Sequence, residues 1–341
     1  MSDLYPWLDD PWKRVTRSWD RHTHGQLFTG PVGIGKRQFA QTYAQARLCE
    51  HVDVKQKPCG VCRNCALFLA GTHPDFHVLL SDADTAREDL SLLANYAIRH
   101  PSKSVISVDQ IRSIISGLST AAHSSQYKIV LIAPAENMNI NAANALLKLL
   151  EEPPQHTMLL LVSEATFRLP ATIRSRCSQF KFATPDVQIA TSWLEKELTK
   201  PGEIPVEEIV QITNGAPLVA KNLIDNKLYP RIQEIMQTTT ALVNGQGDPL
   251  SFAAYCKESP GVNDSLKWLH QSIAALIRTK FGSGIGAENT PDTPRTGLRN
   301  NDLQQLFAIY DKITQAKGYG DSPLDPILLL EDTLVSMTQV R

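Results

Sequence analysis

A run of glycines set between a strand and a helix constrains this chain more than anything else in it. Gln26-Leu27-Phe28-Thr29 reads as a strand, Gly30-Pro31-Val32-Gly33-Ile34-Gly35-Lys36 follows, and Gly35 to Leu48 has helical spacing. Glycines let a backbone curl so that several N–H groups point at one anion at the start of a helix. Gly30, Gly33, Gly35 and Lys36 fit that phosphate-binding pattern. The next residue normally offers Mg²⁺ a hydroxyl. Here it is Arg37, which cannot ligate a cation. Two readings fit: residual nucleotide binding, or a glycine turn kept because the strand-to-helix connection needs it.

The surrounding pattern predicts a doubly wound α/β domain. Phe76 to Leu80, Lys128 to Ile132 and Thr157 to Val162 are short apolar runs bounded by breakers, and Ser104 to Ser107 is short and β-prone. Near-continuous apolar runs suit parallel strands covered on both faces. Helical spacing over Val108 to Leu118 and Asn139 to Glu152 separates them, and Pro153-Pro154 stops the second helix. After Phe182 no strong strand signal remains. Helices are expected over Val187 to Leu198, Val206 to Thr213 (capped by Asn214-Gly215) and Pro217 to Ile224. From Tyr229 onward the chain reads as helices broken at Asn244 to Pro249, Ser259 to Asp264 and Gly282 to Gly297, the last read as a flexible linker.

Hydrolysis of a nucleotide at the glycine loop would call for an acidic pair after Lys128-Ile129-Val130-Leu131-Ile132. The chain has Ala133-Pro134, and Glu136 lies two positions late, where the strand does not set its direction. With Arg37 after the lysine, two metal contacts are missing, and with them the main neutralisation of phosphoryl charge. No intrinsic ATPase activity is expected.

Cys49, Cys59, Cys62 and Cys65 place four thiols within 17 residues, and Pro58 and Gly60 supply the turn. Two consecutive CxxC steps suit tetrahedral zinc, and four protein ligands leave no open position, so the metal would be structural. Disulfides are the alternative that a reducing cytosol argues against, and an iron–sulfur cluster is the weaker one, since nothing else in the chain suggests redox chemistry. His51 and His73 read as surface residues rather than ligands. Arg168, Arg174, Arg176 and Lys181 fall between Ala165 and Pro185 with no acidic residue in that span. A guanidinium offers a planar fork suited to a phosphate. For Arg176 that role and an intrachain ion pair are both open, whereas Arg174 reads as ion-paired within the chain. Cys177 reads as a small core residue.

At 341 residues the chain is too long for one core. A net charge of -1 argues against independent binding to DNA or to an anionic membrane. The start has no signal pattern and the densest apolar run, Met158 to Val162, cannot span a bilayer, so a cytoplasmic protein with reduced or metal-bound cysteines is expected.

The loop Gly30 to Lys36, the four-cysteine insertion, Asn144-Ala145-Leu146-Leu147-Lys148-Leu149-Leu150-Glu151-Glu152-Pro153-Pro154 and Ser175-Arg176-Cys177 occur in one order and at one spacing. Together they resemble bacterial clamp-loader subunits of the AAA+ class. In the helical C-terminus only Ser322-Pro323-Leu324-Asp325-Pro326-Ile327-Leu328-Leu329-Leu330-Glu331-Asp332 looks similar. The resemblance implies an AAA+ domain over 1–182 with a zinc module about 49–65, a helical lid over 183–226, and an all-α collar over 229–341. It implies that Arg176 completes the ATP site of an adjacent motor subunit and that the four cysteines bind zinc. Motor subunits carry a second sensing arginine on the lid after a Gly-Ser pair. The matching stretch here, Gly215-Ala216-Pro217-Leu218, has none. The implied partners are motor subunits (gamma/tau) and a delta subunit, with the sliding clamp and primed DNA met through the complex. A silent stator is therefore the leading expectation. An active ATP-driven motor and a zinc-bearing DNA-binding module are the competing ones.

Overall fold

The computed structural model describes residues 4–17, 19, 24–52, 57–80, 105–118, 125–198, 204–258, 261–282, 303–318 and 325–338. They fall into two compact units, Met1–Lys221 and Asn222–Arg341.

The first unit opens with a single 3-10 turn, Pro6–Leu8, and helix α1 (Asp9–Thr16). Then come β1 (Gly25–Thr29), α2 (Lys36–Leu48), α3 (Arg63–Leu69), β2 (Phe76–Leu79), α4 (Val108–Leu118) and β3 (Lys128–Ile132). Next are α5 (Ile140–Glu151), β4 (Thr157–Ser163), α6 (Ala171–Arg176) and β5 (Ser178–Lys181). The unit continues through α7 (Val187–Glu197) and α8 (Val206–Ile212), and α9 (Pro217–Asp225) begins in it. All five strands run parallel in the order β2-β3-β4-β1-β5. This is the doubly wound parallel sheet that the pattern predicts.

Side chains alternate across a strand, and this sheet uses both faces. On β4, Met158, Leu160 and Val162 join Phe28, Phe39, Tyr43 and Phe68 in one apolar cluster. Leu159 and Leu161 join Leu27, Val130, Leu146 and Ile173 in another. That two-sided burial is why β1, β3 and β4 lack polar alternation.

The predicted elements form with small shifts at their ends. Asn139 is the cap of α5 rather than part of it: its side chain accepts the Ala142 N–H at 2.8 Å. Asn214 and Gly215 both take positive φ (52° and 74°) and end α8. Two features depart from expectation. The β-prone stretch near Ile106 makes only an isolated parallel bridge with Met138, because residues 135–139 leave the sheet there; Ser104 lies outside the described residues. β5 went unpredicted. It is a four-residue edge strand whose Gln179 and Lys181 face solvent, so it carries no apolar run.

The second unit is helical throughout its described residues: α10 (Tyr229–Val243), α11 (Pro249–Glu258), α12 (Val262–Gly282), α13 (Leu303–Gly318) and α14 (Pro326–Thr338). Ile232, Leu242, Leu269, Ile273, Leu306, Ile313, Leu330 and Leu334 are buried within it. The expected linker beyond Gly282, and Ser322 to Leu324, lie outside the described residues. Among the described residues no helix is long and apolar enough to cross a membrane.

Candidate functional site

The glycine loop connects β1 to α2, as its position predicts, but its groups are engaged with the protein itself. Gly33 and Gly35 take φ of 74° and 86°. A Cβ on Gly33 would lie 2.5 Å from the Val219 side chain, and one on Gly35 would lie 2.5 Å from the Tyr5 ring. The glycines thus make room for neighbours. Three loop carbonyls are also taken. Pro31 O accepts from Lys36 Nζ at 2.5 Å, Gly33 O from the Leu218 N–H at 3.0 Å, and Ile34 O from the Trp7 indole N–H at 3.0 Å.

Lys36 is almost fully buried. Burial pushes its pKa down to about 8; the Glu164 and Glu136 charges pull it back up and Arg37 adds to the depression. Arg37 is buried too, with Nη2 3.8 Å from Glu164 Oε1. Glu136 Oε1 accepts the backbone N–H groups of Glu164 and Ala165 at 2.8 and 2.9 Å. This carboxylate therefore ties the residues after β3 to the end of β4. Two cations face two carboxylates where a phosphate and its metal would need room, and a phosphate reaching Lys36 would have to displace it from Pro31.

The buried lysine makes a testable contribution to stability. Its pKa is about 8 when folded against 10.5 as a free lysine. Across that window the unfolded chain binds more protons, so this residue makes the folded state gain stability as pH rises from 8 to 10.5, with a flat penalty below 8. Lys36→Met should therefore be more stable than the parent by about 1 kcal/mol at pH 7, after loss of the Pro31 hydrogen bond is allowed for. The difference should shrink or reverse at pH 10. Melting curves of both chains at the two pH values check this, and an unchanged difference would mean that no buried charge is held there.

An aromatic cluster that sequence reasoning missed covers the same loop. Tyr5 and Trp7 stack at 5.0 Å, and Trp193 of α7 meets both edge-on at 5.3 and 5.2 Å. Residues so far apart in the chain leave no local signal of the contact.

The four predicted metal ligands come together. Sγ–Sγ distances are 3.5 Å for Cys49–Cys59, 3.8 Å for Cys49–Cys62 and 4.0 Å for Cys59–Cys65, and all four sulfurs lie within 4.8 Å of one another. Thiolates about 2.3 Å from a tetrahedral zinc stand about 3.8 Å apart. A disulfide needs about 2.05 Å, so the spacing fits a shared ion and excludes bonded pairs. Backbone N–H groups of His51, Cys59, Cys62 and Cys65 point at these sulfurs at 3.3–3.4 Å, the hydrogen bonding that favours thiolates. Asn64 Nδ2 donates to Leu48 O at 3.0 Å and fastens the knuckle to the end of α2. His51 is exposed, as expected. His73 is not: it is 2% exposed, and its Nδ1 accepts the Asp75 N–H at 3.2 Å. It is a packed residue at the entry to β2.

Arg176 closes α6. Its Nη2 lies 2.6 Å from Glu151 Oε1 and its Nη1 donates to Thr172 O at 3.1 Å, while its side chain stays 38% exposed. The ion pair expected for Arg174, which is half-buried, is not found among the described residues, and of the two readings left open for Arg176 the intrachain pair forms. Arg168 and Lys181 are exposed. Cys177 is a core residue as predicted, buried in the second apolar cluster, where burial pushes its thiol up to about 11. Glu151 pairs with Arg176 and Glu164 with Arg37, and neither was singled out from the sequence as a charge partner. Glu151 stands in the quoted Glu-Glu-Pro-Pro run, but spacing alone does not reveal its partner 25 positions later.

The family model described as "DNA polymerase III, delta subunit" matches residues 12–186. The DNA polymerase III subunit delta′ of Pseudomonas aeruginosa is 35% identical over 98% of this chain and 97% of its own length. The Escherichia coli delta′ subunit is 33% identical over 82% of this chain and 78% of its own. A DNA polymerase III gamma subunit-related protein from Thermotoga maritima aligns at TM-score 0.46 and 16% identity, covering 97% of this chain and 99% of that one. With a family model spanning half the chain and a relative 35% identical along nearly all of it, the chain belongs to the DNA polymerase III delta′ subunit family.

Proposed function

We propose that this chain is a catalytically silent stator of a clamp-loader complex. It supports ATP-dependent loading of the sliding clamp onto primed DNA and donates Arg176 to the ATP site of a neighbouring motor subunit. The observation that carries the silent half is Lys36, whose ammonium rests on Pro31 of its own loop. The other losses point the same way: Arg37 in place of a hydroxyl, Ala133-Pro134 in place of an acidic pair, and Leu218 where a sensing arginine would stand. Without metal contacts the loop lacks the main means of neutralising phosphoryl charge. Arg176, by contrast, keeps an exposed fork on a short helix at the sheet's rim.

Zinc is the metal proposed for Cys49, Cys59, Cys62 and Cys65, in a structural role. The lid is assigned to 183–226 and the assembly collar to 229–341, the latter because its described residues are helical and hold no candidate site. The partners are gamma/tau motor subunits and delta, in the cytoplasm, within the DNA polymerase III holoenzyme. The clamp and DNA are met through the complex, since a chain of net charge -1 has little electrostatic pull on DNA by itself.

Incubating the purified chain with MgATP tests silence directly. No turnover above the rate without protein is expected, and no nucleotide-dependent rise in melting temperature. Turnover abolished by Lys36→Ala would instead make this chain a motor.

A further inference from the structure

The short ion pair between Arg176 and Glu151 has no evident reason to exist for stability alone. Both side chains are more than a third exposed, at 38% and 49%. Such pairs contribute roughly 0–1 kcal/mol. Glu151 also occupies the last turn of α5, where the helix dipole disfavours a negative charge. Yet the contact is 2.6 Å, and Thr172 O holds the other terminal nitrogen at 3.1 Å. An exposed arginine otherwise samples many rotamers, and two anchors on two nitrogens remove that freedom.

We infer that Glu151 is a positioning residue for Arg176: its carboxylate and Thr172 O hold the guanidinium in place for a phosphate of the nucleotide bound by the neighbouring subunit. The inference rests on the arginine-finger reading above. It does not require Glu151 to let go when a phosphate arrives. A guanidinium has five N–H donors. The two contacts engage one terminal nitrogen each, which leaves Nε–H and the second hydrogen on each terminal nitrogen for the partner. Glu151 therefore orients the fork without competing for all of it, and ordering before the encounter lowers the entropy cost of the catalytic contact.

A double-mutant cycle in the reconstituted complex tests this. Clamp-loading turnover and the concentration of this chain needed for half-maximal assembly are measured for the parent, Glu151→Ala, Arg176→Ala and the double variant. Glu151→Ala should lower turnover on the order of tenfold and leave the half-maximal concentration unchanged. The double variant should be no slower than Arg176→Ala. If Arg176→Ala lowers turnover but Glu151→Ala does not, positioning by Glu151 is wrong and the finger stands. If the two losses multiply, or if the Glu151 loss lies in assembly, Glu151 acts through something other than Arg176 and the inference falls. If Arg176→Ala itself changes nothing, the finger reading and this inference fall together.

Discussion

Arg176→Ala should leave this chain folded and able to assemble, yet slow clamp loading on primed DNA on the order of 10³-fold, the low end of what a trans-acting arginine supplies. On the proposed reading, the charge that builds on a transferring phosphoryl group lies in the neighbouring subunit's site, and this chain supplies only the arginine that meets it. A guanidinium meets that charge with directed donors, whereas bulk water must reorganise to do so. The loss should be confined to one site. Single-turnover hydrolysis by the complex should lose the fast phase of the site facing Arg176 and keep the fast phases of the others. Loading should fall by the larger factor because the slowest site limits the cycle. Arg176→Lys should recover little, since an ammonium offers no planar fork. The folded chain should barely notice, because the exposed pair with Glu151 contributes about 1 kcal/mol at most. Unchanged loading and unchanged phases would leave a purely architectural subunit.

How far the molecule was legible in its sequence depended on the range of each signal. β1, β3 and β4 were readable because a strand buried on both faces is apolar at every position, a local property. The metal cluster was readable because its ligands lie within one short stretch. The edge strand β5 was not, since one side of it meets water. The engagement of the glycine loop was not either. Arg37 and Ala133-Pro134 announced missing metal contacts, but the partners that fill the loop come from Trp7, Leu218 and Val219, which no local pattern connects to it. The charges around Arg176 taught the same lesson. The stretch around Arg176 holds no acidic residue, which left its two readings open, while its carboxylate partner, Glu151, belonged to the preceding helix. Residue types foretold the chemistry, and tertiary pairing decided which groups remained available for it.

The proposed zinc site carries the second large effect, because four thiolates in this volume would repel one another strongly without a cation between them. Sulfurs 3.5–4.0 Å apart with backbone N–H groups turned toward them would repel one another as anions. A divalent cation at the centre removes that repulsion, and structural zinc in small modules binds with about 10–16 kcal/mol at neutral pH. Divided evenly, each thiolate accounts for roughly 3 kcal/mol, or about 10²-fold in affinity. Anaerobically purified chain should contain one zinc, and Cys62→Ser should lose it to a mild chelator that leaves the parent loaded. Stripping the metal should unfold the knuckle, so amides of Arg63–Leu69 should lose their hydrogen-exchange protection. Those of β1 and β4 should keep theirs, since their core is the aromatic and aliphatic cluster around Phe28, Phe39 and Leu160. Acid should release the metal in the same way, by protonating the thiolates. A metal-free chain with its cysteines reduced and Arg63–Leu69 still protected would overturn the assignment. The knuckle would then stand by packing alone, through Phe68 and the Asn64 contact with Leu48.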